Sequence, residues 1–394
     1  MANVSLLSSV HRALDGRIFY REARTLAQAG HAVTVVALHP RDEVVDGVQI
    51  LGLAPRPRTQ RPRLWRMLLR RAVATQADIF HIHDPELLAI VPWLRQQTGR
   101  PVIYDVHEAN AEFAAMKAAS LLRAGADDRA PQTDSGLIQG VRDGVAALEP
   151  RLAATCAGII TADERIAQTF ADLARPRAVL YNYPTLEFVE GAASGYAQSF
   201  ASQTAPTILH LGTHTAARGA RLMIEAFAQV RKAIPSATLL LVGPFHPPAL
   251  ADELNARARA FGVENGVVLV GQAPFAEVGS YLRRATVGWI PLQSTPKYEM
   301  NIPTKLFEYM AYELPIVSSD LAPVRPYLAG GECGLLVESG NPSAHAAALL
   351  ALLRNPNQAA KMGTAGRRLV ETRYNWSIIA PQLIALYHQV LTQG

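Results

Sequence analysis

The chain has 394 residues, 49% of them apolar and 18% charged, with a net charge of +5. At roughly 150 residues per domain that length predicts two domains, and the composition excludes a long disordered tail. No apolar run approaches the ~18 residues that a membrane-spanning helix needs, and Met1-Ala2-Asn3-Val4-Ser5 leads straight into a strand-like segment, so the expectation is a cytosolic protein without a signal peptide. Cys156 and Cys333 lie too far apart for a local metal clip and read as buried thiols.

Short β-branched runs alternate with amphipathic stretches, the pattern of parallel sheets flanked by helices. In the first half, strands are predicted at Val4–Leu7, Val33–Leu38, Ile79–Ile82, Val102–Tyr104, Gly158–Thr161 and Ala178–Leu180. A helix from about Arg17 to Ala29 ends at Gly30, a C-terminal cap. Between the first strand and that helix, Gly16 lets the backbone approach a ligand closely, and Asp15 suits either an N-cap or a ligand contact. Further on, Arg56, Arg58, Arg61, Arg63, Arg66, Arg70 and Arg71 crowd one stretch, with Leu64, Trp65, Leu68 and Leu69 at helical spacing. Such a segment can lie on an anionic bilayer; the alternative is a solvated loop and helix edge. No recognised nucleic-acid module accompanies it, so nucleic acid is not an expected partner.

Alternation puts His81 and His83 on one side of a strand, a spacing that can hold zinc, but no third ligand is indicated and loop-shaping hydrogen bonds to Asp84 are expected instead. His107 and Glu108 follow Val102–Tyr104 and emerge at the carboxyl edge of the sheet. From Tyr181 to Pro206 the pattern breaks into Gly, Ser, Ala, Gln and Pro. The expected organisation is therefore a domain over 1–185, a linker over 186–206 and a second domain over 207–375. A tail over 376–394, apolar at Ile378, Ile379, Leu383, Leu386, Tyr387 and Val390, packs back on the first domain.

In the second half, strands are predicted at Thr207–Leu211, Thr238–Val242, Val267–Val270, Val287–Ile290 and Ile316–Ser318. The loop from Gly212 to Gly219 precedes a helix reaching about Val230, and a strand-loop-helix of this kind points backbone N–H groups at an anion. Arg218 can add a fork of donors suited to phosphate, or be a surface arginine. Pro303 suits a first helical turn, which puts Thr304 and Lys305 at a helix start. Lys305 and Glu308, three apart, share a helical face: an ordinary surface salt bridge, or a ligand-binding pair at the carboxyl edge.

The run Pro303-Thr304-Lys305-Leu306-Phe307-Glu308-Tyr309-Met310-Ala311, then Leu314-Pro315-Ile316-Val317, resembles the signature helix of the family 4 retaining glycosyltransferases. The resemblance extends to Arg218-Gly219, Gly271-Gln272, Gly334-Leu335-Leu336-Val337 and Tyr374-Asn375-Trp376. It implies an α/β protein of GT-B architecture: two Rossmann-like, doubly wound parallel-sheet domains facing across a cleft. It also implies metal-independent sugar transfer, with retention, from a nucleotide sugar. UDP-sugar is favoured over GDP-sugar, no cofactor is needed, and the acceptor is a saccharide or a lipid-linked molecule of bacterial polysaccharide or glycolipid synthesis. A peripheral contact with the anionic inner membrane face goes with such an acceptor.

Carried over by motif, Glu308 binds the ribose hydroxyls, Arg218 and Lys305 neutralise the diphosphate, and His107 lies against the donor sugar. Asp15 and Gly16 sit near the diphosphate and acceptor, and Gly212, Thr213, Gly243, Gly271, Gln272, Asn301, Thr304 and Leu306 line the nucleotide pocket. Two positions depart from the family. Thr213 stands where an arginine commonly follows the first glycine, a phosphate contact that Lys305 can replace. Met300 stands where the first of two paired acids belongs. The adjacent Glu299 is carried as the catalytic candidate in its place, with backbone N–H groups of 300–302 as the alternative sugar contacts. Among other readings, a dinucleotide-dependent oxidoreductase is disfavoured because no Gly-x-Gly-x-x-Gly follows a strand. A non-catalytic nucleotide-sugar-binding protein and a nucleotide-sugar epimerase remain.

Overall fold

The computed structural model describes residues 1–123, 135–185, 187–188, 205–273 and 275–393. The linker expected at 186–206 lies almost wholly outside them. The chain divides into two units, Met1–Asn182 with Trp376–Gly394, and Tyr183–Asn375.

The sheet of the first unit has eight strands: β1 (Asn3–Arg12), β2 (Ala32–Leu38), β3 (Glu43–Val45), β4 (Val48–Leu53), β5 (Ile79–Ile82), β6 (Val102–Val106), β7 (Gly158–Thr161) and β8 (Arg177–Val179). Their order is β3-β4-β2-β1-β5-β6-β7-β8, parallel except for the β3–β4 pair. That pair was not among the predicted strands. It is a hairpin closed by Asp46-Gly47, both at positive φ (49° and 77°), a two-residue turn that Asp-Gly favours. Strands β5, β6 and β7 are buried along their whole length, which is why they read as continuous apolar runs rather than alternating ones.

Three helices matter to the site. The expected helix over 17–29 begins as a π-helical turn, Ile18–Ala23, before continuing as Arg24–Gln28; the Glu22 N–H reaches back five residues to the Arg17 carbonyl. Helix Trp376–Gln393 lies on this sheet, and glycine at 158 makes room for it: a Cβ there would come within 2.9 Å of Val390 Cγ2. Trp376 Nε1 also donates to Thr25 Oγ1 at 2.8 Å. Helix Arg61–Ala74 turns Leu64, Leu68 and Ala72 into the core, with Trp65 and Leu69 packed against it. The stripe read as lipid-facing thus packs on the sheet, with Leu64 and Leu68 buried and Trp65 and Leu69 partly so. Arg63, Arg66 and Arg70 remain exposed, while Arg71 pairs with Asp42 and Arg61 with Glu86. No helix among the described residues is long and apolar enough to cross a membrane.

The sheet of the second unit contains β9 (Thr207–Leu211), β10 (Thr238–Val242), β11 (Val267–Gly271), β12 (Val287–Ile290), β13 (Ile316–Ser319) and β14 (Gly334–Val337). All pairings are parallel, in the order β11-β10-β9-β12-β13-β14. The motif Gly334-Leu335-Leu336-Val337 is thus a strand that was not predicted as one. Phe227, Trp289 and Leu349 anchor the core beneath helices Ala220–Ala233 and Pro342–Arg354, each burial contributing ~1.5–3 kcal/mol. In both sheets the chain runs outward one way and then returns to the other side of its first strand, so the order reverses at β1/β5 and at β9/β12. In open parallel sheets the crevice at the carboxyl ends of such a reversal is where ligands bind.

Candidate functional site

At the β9/β12 reversal, three expected pocket glycines stand side by side. Gly212 follows β9, Gly243 follows β10, Gly271 ends β11, and all have positive φ (104°, 135° and 75°). The Gly212 N–H donates to the Val242 carbonyl at 2.8 Å and the Gly243 N–H to the Gly271 carbonyl at 2.7 Å, carrying the ladder one residue past the strands. Side chains are barred here: a Cβ on Gly243 would lie 2.2 Å from the Gly212 oxygen.

Above Gly212 two cations meet. A Cβ there would sit 3.4 Å from Arg218 Nη1 and 3.5 Å from Lys305 Nζ. Arg218 is placed by the turn Ala216–Arg218, which the Thr215 side chain caps by accepting its N–H, and its Nε donates to the Tyr298 hydroxyl at 3.1 Å. Gly219 (φ 80°) then lets the chain enter helix Ala220–Ala233 against the end of β12, where a Cβ would lie 2.2 Å from the Pro291 oxygen. Lys305 opens the short helix Lys305–Ala311 and is only 6% exposed, so the surface-salt-bridge reading does not hold. Its Nζ lies 3.0 Å from His210 Nε2. Burial first, and then the Arg218 charge, push the Lys305 pKa well down, with Glu308 on the same helical face opposing them. The helix is clamped to β9 by the Tyr309 hydroxyl, which accepts from the Leu211 N–H and donates to the Leu209 carbonyl.

Other expected pocket residues sit differently. Thr213 is half-buried beside Gly212, and Thr304 is exposed. Gln272 is exposed, with its amide turned to the Ala273 carbonyl. Leu306 is fully buried and gives its N–H to the Pro303 carbonyl, so it serves the helix start. Glu299 accepts from Ser294 Oγ at 2.7 Å and from the Ala322 N–H at 3.1 Å, bracing one loop against another. Of the alternative backbone donors at 300–302, the N–H groups of Met300 and Asn301 both go to the Lys297 carbonyl.

In the first unit, Asp15 and His107 lie at the β1/β5/β6 carboxyl edge. The Asp15 carboxylate accepts the N–H groups of Arg17 (2.7 Å) and Ile18 (3.2 Å), so it caps the helix start, while the Gly16 carbonyl accepts from Arg21. Burial resists the Asp15 charge, but the His11 hydrogen bond and charge outweigh it and hold the carboxyl well below its usual range. His107 Nε2 lies 2.9 Å from Asp105 Oδ2 and 3.2 Å from His83 Nδ1. Fully buried Asp105 is held by a two-pronged Arg17 fork, Nε and Nη2 each at 2.7 Å.

Sequence reasoning missed Arg17, Glu22 and Asp105, although an aspartate inside the apolar run Val102–Val106 was a visible signal. It also missed His210 and Tyr298. Two expectations about the histidines are overturned. Asp84 takes its hydrogen bonds from Ser8 and from the Ser9 and Val10 N–H groups, while His81 pairs with Tyr387 and His83 with Asp105 and His107. Further carboxylates do stand near the histidines: Glu22, His81, His83 and Asp105 form one buried group of metal-ligand composition. Arg17 already supplies its positive charge, lying 3.0 Å from Glu22 as well as on Asp105.

Two open, doubly wound parallel sheets, each with its polar groups at the carboxyl ends of an order reversal, define the GT-B architecture. The family described as Glycosyl transferase 4-like domain matches residues 16–183, and that described as Glycosyl transferases group 1 matches residues 205–355. The chain belongs to the family 4 GT-B glycosyltransferases.

Among its relatives, the phosphatidyl-myo-inositol mannosyltransferase of Mycobacterium leprae is 33% identical over 189 residues, 48% of each chain. The D-inositol 3-phosphate glycosyltransferase of Segniliparus rotundus is 28% identical over 45% of this chain and 38% of its own. The chain spans about half the length of the curated relatives it matches. Among solved structures, sucrose-phosphate synthase of Thermosynechococcus elongatus superposes with a TM-score of 0.76 at 19% identity, covering 100% of both chains. HepE of Anabaena, solved in complex with UDP-glucose, gives 0.70 at 14% identity over 99% of this chain and 100% of its own. At such identities these structures speak for the fold alone.

Proposed function

We propose that the chain transfers a sugar from a nucleoside diphosphate sugar to a saccharide or lipid-linked acceptor, with retention and without a metal. The observation that carries this is the meeting of Arg218 and Lys305 above Gly212. A buried lysine beside a partly buried arginine, over a floor without side chains, is unfavourable unless an anion joins them. When a nucleoside diphosphate leaves an anomeric carbon, negative charge grows on its phosphate oxygens, and preplaced donors stabilise that charge. Arg218 and Lys305 take this role, Lys305 standing in for the arginine that Thr213 replaces. Glu308, on the Lys305 face of its helix, takes the ribose hydroxyls. In the first unit His107 is the proposed sugar-side residue, fixed by Asp105.

A UDP-sugar is the favoured donor, as the resemblance to the family implies. A lipid-linked acceptor is in keeping with the name of the Mycobacterium leprae relative. Peripheral attraction to an anionic membrane falls to the exposed Arg63, Arg66 and Arg70 as an electrostatic contact, since Leu64 and Leu68 of their helix are buried against the sheet. The test is nucleoside diphosphate release from a panel of UDP- and GDP-sugars, with and without acceptor and with chelator present. Acceptor-dependent release that survives chelation, with the new linkage keeping its anomeric configuration by NMR, is expected. Binding without turnover on any acceptor refutes it in favour of a binding protein, and sugar interconversion without acceptor in favour of an epimerase.

A further inference from the structure

His210 lies in the middle of the second sheet, on β9, and is fully buried. A histidine there needs both ring nitrogens satisfied, and its two partners fix which nitrogen carries the proton. Nδ1 lies 2.9 Å from the Trp289 carbonyl, which can only accept, so Nδ1 holds the hydrogen. Nε2 is then a lone pair, and it faces Lys305 Nζ at 3.0 Å. The lysine is left donating to it. Burial first, and then the Lys305 charge, keep the ring from taking a second proton, so the lone pair persists.

We propose that His210 is a positioning residue for the anion site: by accepting one Lys305 N–H it fixes the ammonium beside Arg218 and aims its remaining donors above Gly212. Lysine is a point charge on a flexible four-carbon stem, and aligning it costs side-chain entropy each time an anion binds. His210 holds it before the ligand arrives. The chain has good reason to do so, because Lys305 has no fork geometry of its own. Trp289 is held in turn, its Nε1 donating to His345 Nδ1 at 3.0 Å, so the carbonyl–histidine–lysine line starts from a fixed core residue. His214, whose ring is 5.1 Å from that of His210, stacks on Phe245 instead.

This inference rests on the proposed reading of the site as a nucleoside diphosphate pocket. Binding of UDP, GDP, uridine and guanosine is measured by calorimetry on the wild-type chain and on His210→Leu, His210→Gln, Lys305→Met and the His210→Leu/Lys305→Met double variant. Glutamine can donate to Trp289 and accept from Lys305; leucine can do neither. Loss of a hydrogen bond to a charged group should weaken diphosphate binding about tenfold in His210→Leu while nucleoside binding is unchanged. Binding should return to within about threefold in His210→Gln, and the leucine should have no further effect once Lys305 is gone.

Equal losses for diphosphate and nucleoside, no rescue by glutamine, or a leucine effect that persists without Lys305 each overturn the proposal as a merely structural role. Wild-type strength in His210→Leu overturns it as no role at all. Failure of the wild-type chain to bind either diphosphate is a different result: it removes the pocket itself, and the inference with it.

Discussion

Replacing Asp105 by asparagine keeps the side-chain shape but takes one negative charge from the centre of the first unit. Arg17, only 4% exposed, then keeps the Leu180 carbonyl, Asn182 Oδ1 and, 3.0 Å from its Nε, the Glu22 carboxyl, and loses the carboxylate that both arms of its fork grip. Breaking a buried pair by removing one partner costs about 3–5 kcal/mol, and the two surviving neutral acceptors together with the Glu22 carboxyl argue for the lower end, about 3. Hydrogen–deuterium exchange read on peptides covering β5 and β6 resolves this unit from the other, and the slowest amides there should exchange about a hundredfold faster. Removing both charges, Arg17→Met with Asp105→Leu, should cost much less than the two single changes together, since no buried charge is left alone. Exchange within about threefold of wild type in Asp105→Asn, or additive losses in the double variant, would show that the pair is not what holds this edge together.

The neighbouring carboxyl behaves oppositely. Burial first, and then Asp105, lift the Glu22 pKa well above 4.5, with Arg17 only partly offsetting them. The folded chain therefore keeps a proton that the unfolded chain has lost, and this group's contribution to stability falls as pH rises above ~4.5 towards the folded value. Glu22→Gln should melt higher than wild type at pH 8 and little differently at pH 4.5; parallel melting curves would contradict it. Arg218→Ala should weaken diphosphate binding by about ten- to a hundredfold in calorimetry, with Arg218→Lys recovering only part, since the Nε contact to Tyr298 needs a guanidinium. Reversing the exposed charges in Arg63→Glu/Arg66→Glu/Arg70→Glu should leave melting unchanged and abolish sedimentation with anionic vesicles at low salt. Vesicles that never retain the wild-type chain would end the membrane proposal.

Much of the fold was readable because buried parallel strands are short, apolar and bounded by turn residues, so β5, β7, β9, β10 and β12 begin and end where the pattern says. The strands missed are those on or near sheet edges. β3 and β4 carry Glu43 and Gln49 among their apolar residues, and their Asp46-Gly47 turn was the one local signal. β14 is four residues long and half-exposed. Of the candidate site, Arg218, Lys305 and Glu308 were singled out by the resemblance to the signature helix, since spacing alone also allowed a surface arginine and a surface salt bridge; the fold brings Arg218 and Lys305 together above Gly212. The supports of the site were not legible. His210 is an ordinary strand residue until β12 and the Lys305 helix bracket it, and Asp105 meets Arg17 across 88 residues of sequence. Such partners are made by topology, which spacing along one segment cannot reveal. The arginine-rich helix was open for the converse reason: the same stripe serves equally well against lipid or against a sheet, and the folded unit turns Leu64 and Leu68 to the sheet.

Helix Trp376–Gln393 makes the first unit discontinuous, with residues 183–375 set inside it as an insertion. During synthesis the second unit emerges as one unbroken stretch and has all its strands before this helix exists. Until Tyr387 and Val390 arrive, the first unit has Gly158 uncovered and His81 without its tyrosine. A chain stopped at 375 would keep every residue of the proposed anion site, yet lack the helix that covers one face of the other unit's sheet.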